Sequence, residues 1–414
     1  MISATGHLAL INLLIGDIQG GLGPFLSTWL AGAAWTPARI GLVTTIVGLG
    51  TLVLNTPAGA LVDHLPRPRL LLGLGCAGIL VGTLLLLPAR GFLAVLAAQF
   101  LAATGGTIVP PAMTALTLGI VGKASFPRQQ GRNQAWNHVG ILSAAVLIQV
   151  GASGIGAGVA FWILAAMAVG SLVAIAATPG SAWNACRAHG WNEAEEATPD
   201  KKHPVHHVLG NARLLLLAAA LALFALGNGP MLSLIGQRMV ARHQDATSWV
   251  AVYVFVAQLT MVPVALWAGS LCDRHGRRRL LLLAAAALTL RAGLSAWVTS
   301  PFWLIPAEVL DGVGSGVLGV AVPVLVADIT WGSGRTQTAL GTVNALQGIG
   351  GALSGVFGGL LVQMFGWNSA LLLLGVPAVA SLLLALRLEE TRHIGLAYHP
   401  RRGGGAMPAA GGAS

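Results

Sequence analysis

The chain has 414 residues, 55% of them hydrophobic and only 9% charged, with a mean hydropathy of +0.77. Soluble domains carry about 25% charged residues, so the composition excludes a soluble globular protein and indicates one that crosses a membrane many times. The net charge of +10 raises the question of a nucleic-acid partner, but the basic residues sit in short segments beside apolar runs, where membrane topology accounts for them, and no nucleic acid is expected.

Taken in order, twelve apolar runs of roughly 20 residues, each long enough to span a bilayer, are bounded by charged residues, Pro, Gly or Asn. They are Leu8 to Leu30, Ile40 to Val62, Leu70 to Leu87, Phe92 to Ala112, Gln134 to Val150 and Val159 to Ala177. After a polar stretch follow Leu214 to Ile235, Val250 to Leu271, Leu280 to Val298, Phe302 to Val326, Leu340 to Phe365 and Ser369 to Leu386. This divides the chain into a six-helix bundle over 1–178, a linker over 179–210, a second six-helix bundle over 211–388 and a disordered Gly- and Ala-rich tail over 389–414. The linker histidines His189, His203, His206 and His207 are read as solvated rather than as metal ligands. Cys76, Cys186 and Cys272 show neither a C-x-x-C pair nor metal spacing, so no disulfide framework, metal or cofactor is expected.

With the N-terminus inside, most of the 23 Lys and Arg fall in segments on the inner side. Arg39, Arg90, Arg238 and Arg242 fall in outer loops, and Arg291 lies within a helix. The positive-inside rule then places both termini in the cytoplasm.

Two loops repeat. Gly269 to Arg279 reads GSLCDRHGRRR and Gly59 to Arg69 reads GALVDHLPRPR, with Gly, Leu and Asp at matching positions half a chain apart. Glycine permits a backbone-close turn, and the carboxylates of Asp63 and Asp273 can accept from a helix N-terminus or from arginines. A second alignment lays AAQFLAATGGTIVPPAM (Ala97 to Met113) on PAEVLDGVGSGVLGVAV (Pro306 to Val322), so the fourth helix recurs as the tenth.

These loops resemble the G-x-L-x-D-[RK]-x-G-[RK]-[RK] signature of the major facilitator superfamily. The second copy meets every position through Gly269, Leu271, Asp273, Arg274, Gly276, Arg277 and Arg278. The first keeps Gly59, Leu61, Asp63 and Arg67 but has His64, Pro66 and Pro68 where the pattern wants a basic residue, Gly and a basic residue. Together with NLLIGDIQGGLGPFLSTWL, GKASFPRQQGRN, ALGNGPMLSLIGQ and VPVLVADITWGSGR, the chain looks like a bacterial subgroup of generic transporters. The resemblance implies an all-α membrane protein of twelve transmembrane helices in two pseudo-symmetric bundles, a bacterial inner (plasma) membrane location, motif loops that gate access, and a central cavity lined by the first, fourth, seventh and tenth helices.

Ionisable groups inside an apolar run are costly and usually face a cavity or a partner. Asp17, Glu308, Asp311 and Arg291 are such groups. The three acids are candidates for meeting a proton or a cationic solute, since a carboxyl whose surroundings alternate between dry and wet exchanges its proton between states. Arg291 is a candidate charge partner. Neutral candidates are Gln99, Asn12, Gln19, Asn228, and Asn344 with Gln347, while Trp136, Asn137 and His138 open the fifth helix. GLGP (Gly21 to Pro24) and GNGP (Gly227 to Pro230) are expected to bend the first and seventh helices.

No G-x-S-x-G, H-E-x-x-H or phosphate-loop spacing occurs, so no enzyme is expected. The fourth helix lacks the R-x-x-Q-G pattern and the fifth the Gly-Pro pattern of antiporters. The reading is a monomeric, proton-coupled secondary transporter of a small organic solute working by alternating access among membrane lipids, with export favoured and a cationic or amphipathic solute fitting an acidic cavity. Uptake of an organic anion is the alternative if Arg291 faces the cavity. A receptor or assembly factor on the same fold would leave the buried carboxyls without a purpose.

Overall fold

The computed structural model describes residues 3–20, 26, 29–30, 33, 35, 37–65, 67–89, 91–155, 158–188 and 210–391, with the side chains of 17–20, 37–38, 41, 149, 152–155 and 246–247 outside the description. The described residues form helices and connections without any strand. In lipid every backbone polar group must be satisfied within its own segment, and a helix achieves this.

The elements are α1 (Ala4–Gly20), α2 (Pro37–His64), α3 (Pro68–Leu86) and a 64-residue run, Phe92–Ile155, broken at Gly122 (φ 69°, ψ 171°) into α4 (92–121) and α5 (123–155). Then come α6 (Val159–Ala177), α7 (Ala212–Asn228 continuing as Met231–Ala241), α8 (Ala246–His275) and α9 (Arg277–Trp297). The chain closes with α10 (Ile305–Ile329), α11 (Thr336–Phe365) and α12 (Trp367–Leu373 continuing as Gly375–Arg387). Among the described residues nine stretches are long and apolar enough to span a membrane. Two of them, Phe92–Ile148 and Thr336–Arg387, each hold two helices in series, and α1 contributes the shorter apolar Ala4–Gly16. This is consistent with the expected twelve.

The expected loop between the fourth and fifth runs is instead helical on both sides of Gly122. Its polar residues satisfy one another: Asn133 donates to Thr117 Oγ1 at 2.9 Å and Gln129 donates to Asn133 Oδ1 at 2.8 Å, all three buried. Satisfied in this way, they cost little inside a helix pair. At the GNGP stretch, where a bend is expected, the helical hydrogen bonding of α7 is interrupted at Gly229 and Pro230. GLGP lies outside the described residues.

Arg238 is not a loop residue. It is 1% exposed within α7 and donates to the Ser295 and Val298 carbonyls at 2.7 and 2.9 Å and to Asn368 Oδ1 at 3.2 Å. A guanidinium thus satisfies carbonyls that the end of α9 leaves open.

Helices before and after the polar stretch meet along two seams, α2 against α11 and α5 against α8. Small residues let the backbones touch. A Cβ on Gly59 would overlap the Gln337 carbonyl and one on Gly341 the Asn55 carbonyl; one on Gly269 would come within 2.9 Å of the Pro127 carbonyl. All of these lie toward the end of the bundle that carries the repeated motif. Farther along the same face of α2, Leu52 fills the space beside Gly348, and Gly48 meets nothing within 4 Å; on α11 Gly355 likewise meets nothing. The α2/α11 seam is closed at the motif end and parts toward the other.

The outer surface is apolar. Val53, Leu93, Trp162, Val173, Leu290 and Val356 are all more than half exposed. Trp297 and Trp303, beside the α9–α10 connection, are exposed as well, in keeping with aromatic residues at a membrane interface.

Candidate functional site

Between the two sets of helices lies a cavity of about 480 Å³, within the range of about 300–1,000 Å³ usual for small-molecule sites. It is walled by α1, α4, α5, α7, α10 and α11. The polar walls are mainly carboxamides, among them Asn12, Gln134, Asn137, Asn228, Asn344 and Gln347; Met113, Phe224, Leu318 and Val322 supply apolar surface. None of the lining residues among those described is charged.

The expected acidic cavity is therefore not what the described side chains build. Glu308 is fully buried and Asp311 has 17% of its side chain exposed, yet both turn toward Arg291 on α9, which is 1% exposed. Arg291 Nη2 donates to Glu308 Oε2 at 2.9 Å and Nη1 to Asp311 Oδ1 at 2.8 Å. Asn228 completes the group: its Nδ2 donates to Asp311 Oδ1 at 2.9 Å and its Oδ1 accepts from Arg291 Nη1. The physical reason is the cost of burying an unpaired guanidinium, which draws both carboxylates to Arg291. The cluster thus sets two carboxyl groups against one guanidinium. Arg291 does not line the cavity.

Of the other candidates, Asn12 and Asn228 line the cavity, as do Asn344 and Gln347. Asn12 commits its Nδ2 to the Leu8 carbonyl at 2.8 Å. Gln99 is half-buried on α4 and does not reach the cavity. Asp17 and Gln19 lie on α1 with side chains outside the described residues. His138 faces the α5/α8 seam, its Nδ1 2.8 Å from Gln258 Oε1.

At the motif end the two copies behave differently. Asp63 is fully buried and accepts from the Gln337 and Thr338 backbone N–H groups at 3.1 and 2.6 Å and from Thr338 Oγ1 at 2.7 Å. It thereby caps the start of α11, where free N–H groups favour a carboxylate. Asp273 is exposed, 3.9 Å from Arg277. Arg67 and Arg274 are exposed too. Gly276 has φ 93°, a conformation that L side chains avoid, and a Cβ there would overlap the Glu390 carboxylate. That carboxylate accepts from the Arg277 and Arg278 backbone N–H groups at 2.8 and 3.2 Å, capping α9 from beyond α12. Side-chain Nη2 of Arg278 donates to the Leu386 carbonyl.

Sequence reasoning missed the hub beside this loop. Asp328, in the last turn of α10, accepts from Arg277 Nε and from Thr391 Oγ1, both at 3.0 Å. Lys123, the first residue of α5, reaches it from the other set of helices at 3.8 Å and lies 4.5 Å over the Trp331 ring. Side chains of Lys123 and Asp328 are 5% and 3% exposed. Both residues sit beside segment ends, where an apolar-run reading assigns them to loops; a basic and an acidic residue each abutting a run was the available signal. Gln134, which the sequence marks only as the first residue of the fifth apolar run, lines the cavity.

The comparisons with known proteins agree with this architecture. A family model described as the MFS_1 like family matches residues 10–372. An uncharacterised MFS-type transporter of Mycobacterium tuberculosis is 34% identical over 385 residues, covering 92% of this chain and 91% of that one. The cephamycin export protein of Amycolatopsis lactamdurans is 35% identical over 125 residues, 29% of this chain and 26% of that protein. Among solved structures, the major facilitator superfamily transporter FucP in the outward conformation matches with a TM-score of 0.75 at 15% identity, over 94% of this chain and 99% of that one. The all-helical fold, the repeated motif and the matched family model lead to one conclusion: the chain belongs to the MFS_1 like family of the major facilitator superfamily, whose members are membrane transporters and not enzymes.

Proposed function

We propose that this transporter moves a small organic solute through the central cavity by alternating access, coupled to a proton held by the Asp311–Arg291–Glu308 cluster. The carrying observation is the position of Asn228. It lines the cavity with Phe224 and Gln347 while bonding to both Asp311 and Arg291, so a solute that draws on its carboxamide disturbs the group that can take up the proton. In this scheme the bundles 1–178 and 211–388 rock about the cavity, and Asp17 on α1 adds a third carboxyl.

In this reading the protein lies in a bacterial inner membrane with the motif end and both termini on the cytoplasmic side, and the closed motif end is the state shut toward the cytoplasm. Asp63 on the α11 start and Lys123 with Asp328 are the contacts that must part for the cytoplasmic side to open. Asp273, Arg274, Arg277 and Arg278 order the matching loop of the second bundle. The protein works as a monomer among membrane lipids. Export is the favoured direction, a reading supported by the likeness of one segment to the cephamycin exporter; uptake of an organic anion finds no cationic contact among the described cavity residues.

In proteoliposomes, Asp311→Asn is expected to abolish solute accumulation driven by an imposed pH gradient while passive exchange of the same labelled solute continues. Accumulation at the wild-type level in that variant would overturn the coupling assignment.

A further inference from the structure

Two pairs of cavity carboxamides are related by the internal repeat. Gln134 and Asn137 on α5 correspond, at the spacing that separates Gly59 from Gly269, to Asn344 and Gln347 on α11. The same spacing relates Gly131 to Gly341, the residues at which α5 and α11 press on α8 and α2. Each pair thus sits one turn beyond a close helix contact, so packing sets the rotation of both helices and aims both pairs into the cavity. Residues three apart on a helix have Cβ atoms about 5–6 Å apart on one face.

None of the four side chains makes a hydrogen bond with another described residue, although each lines the cavity. Asn137 is buried and the other three are half-buried, so each presents an unspent donor and an unspent acceptor to the cavity, from α5 on one side and α11 on the other. Of the other carboxamides in the lining, Asn228 is engaged by Arg291 and Asp311, Gln130 by the Gly319 carbonyl and Asn12 in part by Leu8, while Thr114 and Ser315 add two hydroxyls to the wall. An ionic solute would find no opposite charge among the described lining residues, and an uncompensated charge in such a site is costly. A hydroxyl, which donates and accepts at once, matches a carboxamide without charge, and Phe224, Met113 and Leu318 offer apolar surface for carbon-bound hydrogens.

We infer that Gln134, Asn137, Asn344 and Gln347 form a two-sided carboxamide clamp, and that the solute is a neutral, hydroxyl-rich molecule of the polyol or sugar class. This rests on the reading of the cavity as the transport site and narrows its substrate. The clamp holds the solute from both bundles at once, so the hydrogen bonds it makes are those that rocking would rearrange.

The test is ligand-induced thermal stabilisation of the full-length protein in detergent at a single pH, with a hexose, a hexitol and a disaccharide as neutral probes and tetraphenylphosphonium and benzoate as charged ones. A ligand of the native state raises its melting temperature. At least one neutral probe is expected to bind, and Gln134→Leu and Asn344→Leu are each expected to weaken it roughly tenfold. Should either variant fail to fold, Asn137→Ala and Gln347→Ala carry the same expectation. Binding by the charged probes alone, no binding by any neutral probe, or neutral-probe affinity unchanged in the folded variants overturns the inference. No proton gradient enters the measurement, so failure of proton coupling would leave this result standing, and the reverse holds as well.

Discussion

Asp63, near the end of α2, accepts two hydrogen bonds from Thr338, at the start of α11 and 275 residues away, one from its backbone N–H at 2.6 Å and one from its hydroxyl at 2.7 Å. The carboxylate is fully buried and supplies the cap that Arg335, the residue preceding α11, does not. A contact between the bundles is thus built from the motif copy that departs more from the signature.

Replacing that carboxylate should favour opening of the motif end. Asp63→Ala removes a helix cap and its charge-assisted bonds, worth about 1–2 kcal/mol, and is expected to shift the access equilibrium roughly tenfold toward the state open at that end. The rate of thiol labelling of a single cysteine placed at Gln337 in a background lacking Cys76, Cys186 and Cys272 reads this out; unchanged labelling would show that the cap does not hold the gate.

A matched pair of glycine substitutions separates the closed from the parted end of the α2/α11 seam. At Gly59 an added methyl would overlap the Gln337 carbonyl, whereas at Gly48 it meets nothing within 4 Å. Overpacking of this kind costs about 1–3 kcal/mol, so Gly59→Ala should lower the melting temperature of the purified protein and Gly48→Ala should leave it nearly unchanged. Equal effects would argue against a seam that parts along its length.

Asp328 is bracketed by two cations from different parts of the chain, Lys123 and Arg277. Asp328→Asn leaves both buried with less compensation and is expected to cost about 3–5 kcal/mol. Adding Lys123→Met should recover part of that loss, and a double-mutant cycle in melting temperature measures the coupling. Additive effects would mean that Lys123 contributes nothing to the cluster.

The guanidinium of Arg291 serves Glu308 and Asp311 through different nitrogens, 2.9 and 2.8 Å away. Lysine presents a point charge and cannot reproduce a fork. Arg291→Lys is therefore expected to fold less stably and to lose most pH-driven transport. Combining Arg291→Met with Glu308→Gln and Asp311→Asn should restore the melting temperature without restoring transport. Recovery of transport in the neutral variant would sink the proposed proton site.

Much of the architecture was legible because it depends on local chemistry. Long apolar runs in a chain with 9% charged residues have to become membrane helices, since lipid offers backbone groups no other partner. The repeated motif was visible because identical residues recur half a chain apart, and Asp17, Glu308, Asp311 and Arg291 stood out as ionisable groups inside apolar runs. Polar residues near run ends were harder to place: Gln129, Asn133 and Arg238 read as loop residues until their partners Thr117, Ser295 and Asn368 were brought beside them.

What the sequence by itself determined, then, is which segments cross the membrane, that they come as two related sets, and which side chains are too costly to bury without a purpose. Only the tertiary structure decided that Glu308 and Asp311 turn to Arg291 instead of forming an acidic cavity, that Asp63 rather than Asp273 caps a helix across the seam, and that carboxamides on α5 and α11 line one cavity. The direction of a side chain depends on how its helix is rotated and what packs against it. For α5 and α11 that rotation is set where Gly131 and Gly341 meet the α8 and α2 backbones, a contact between segments too distant in the chain for local pattern to report.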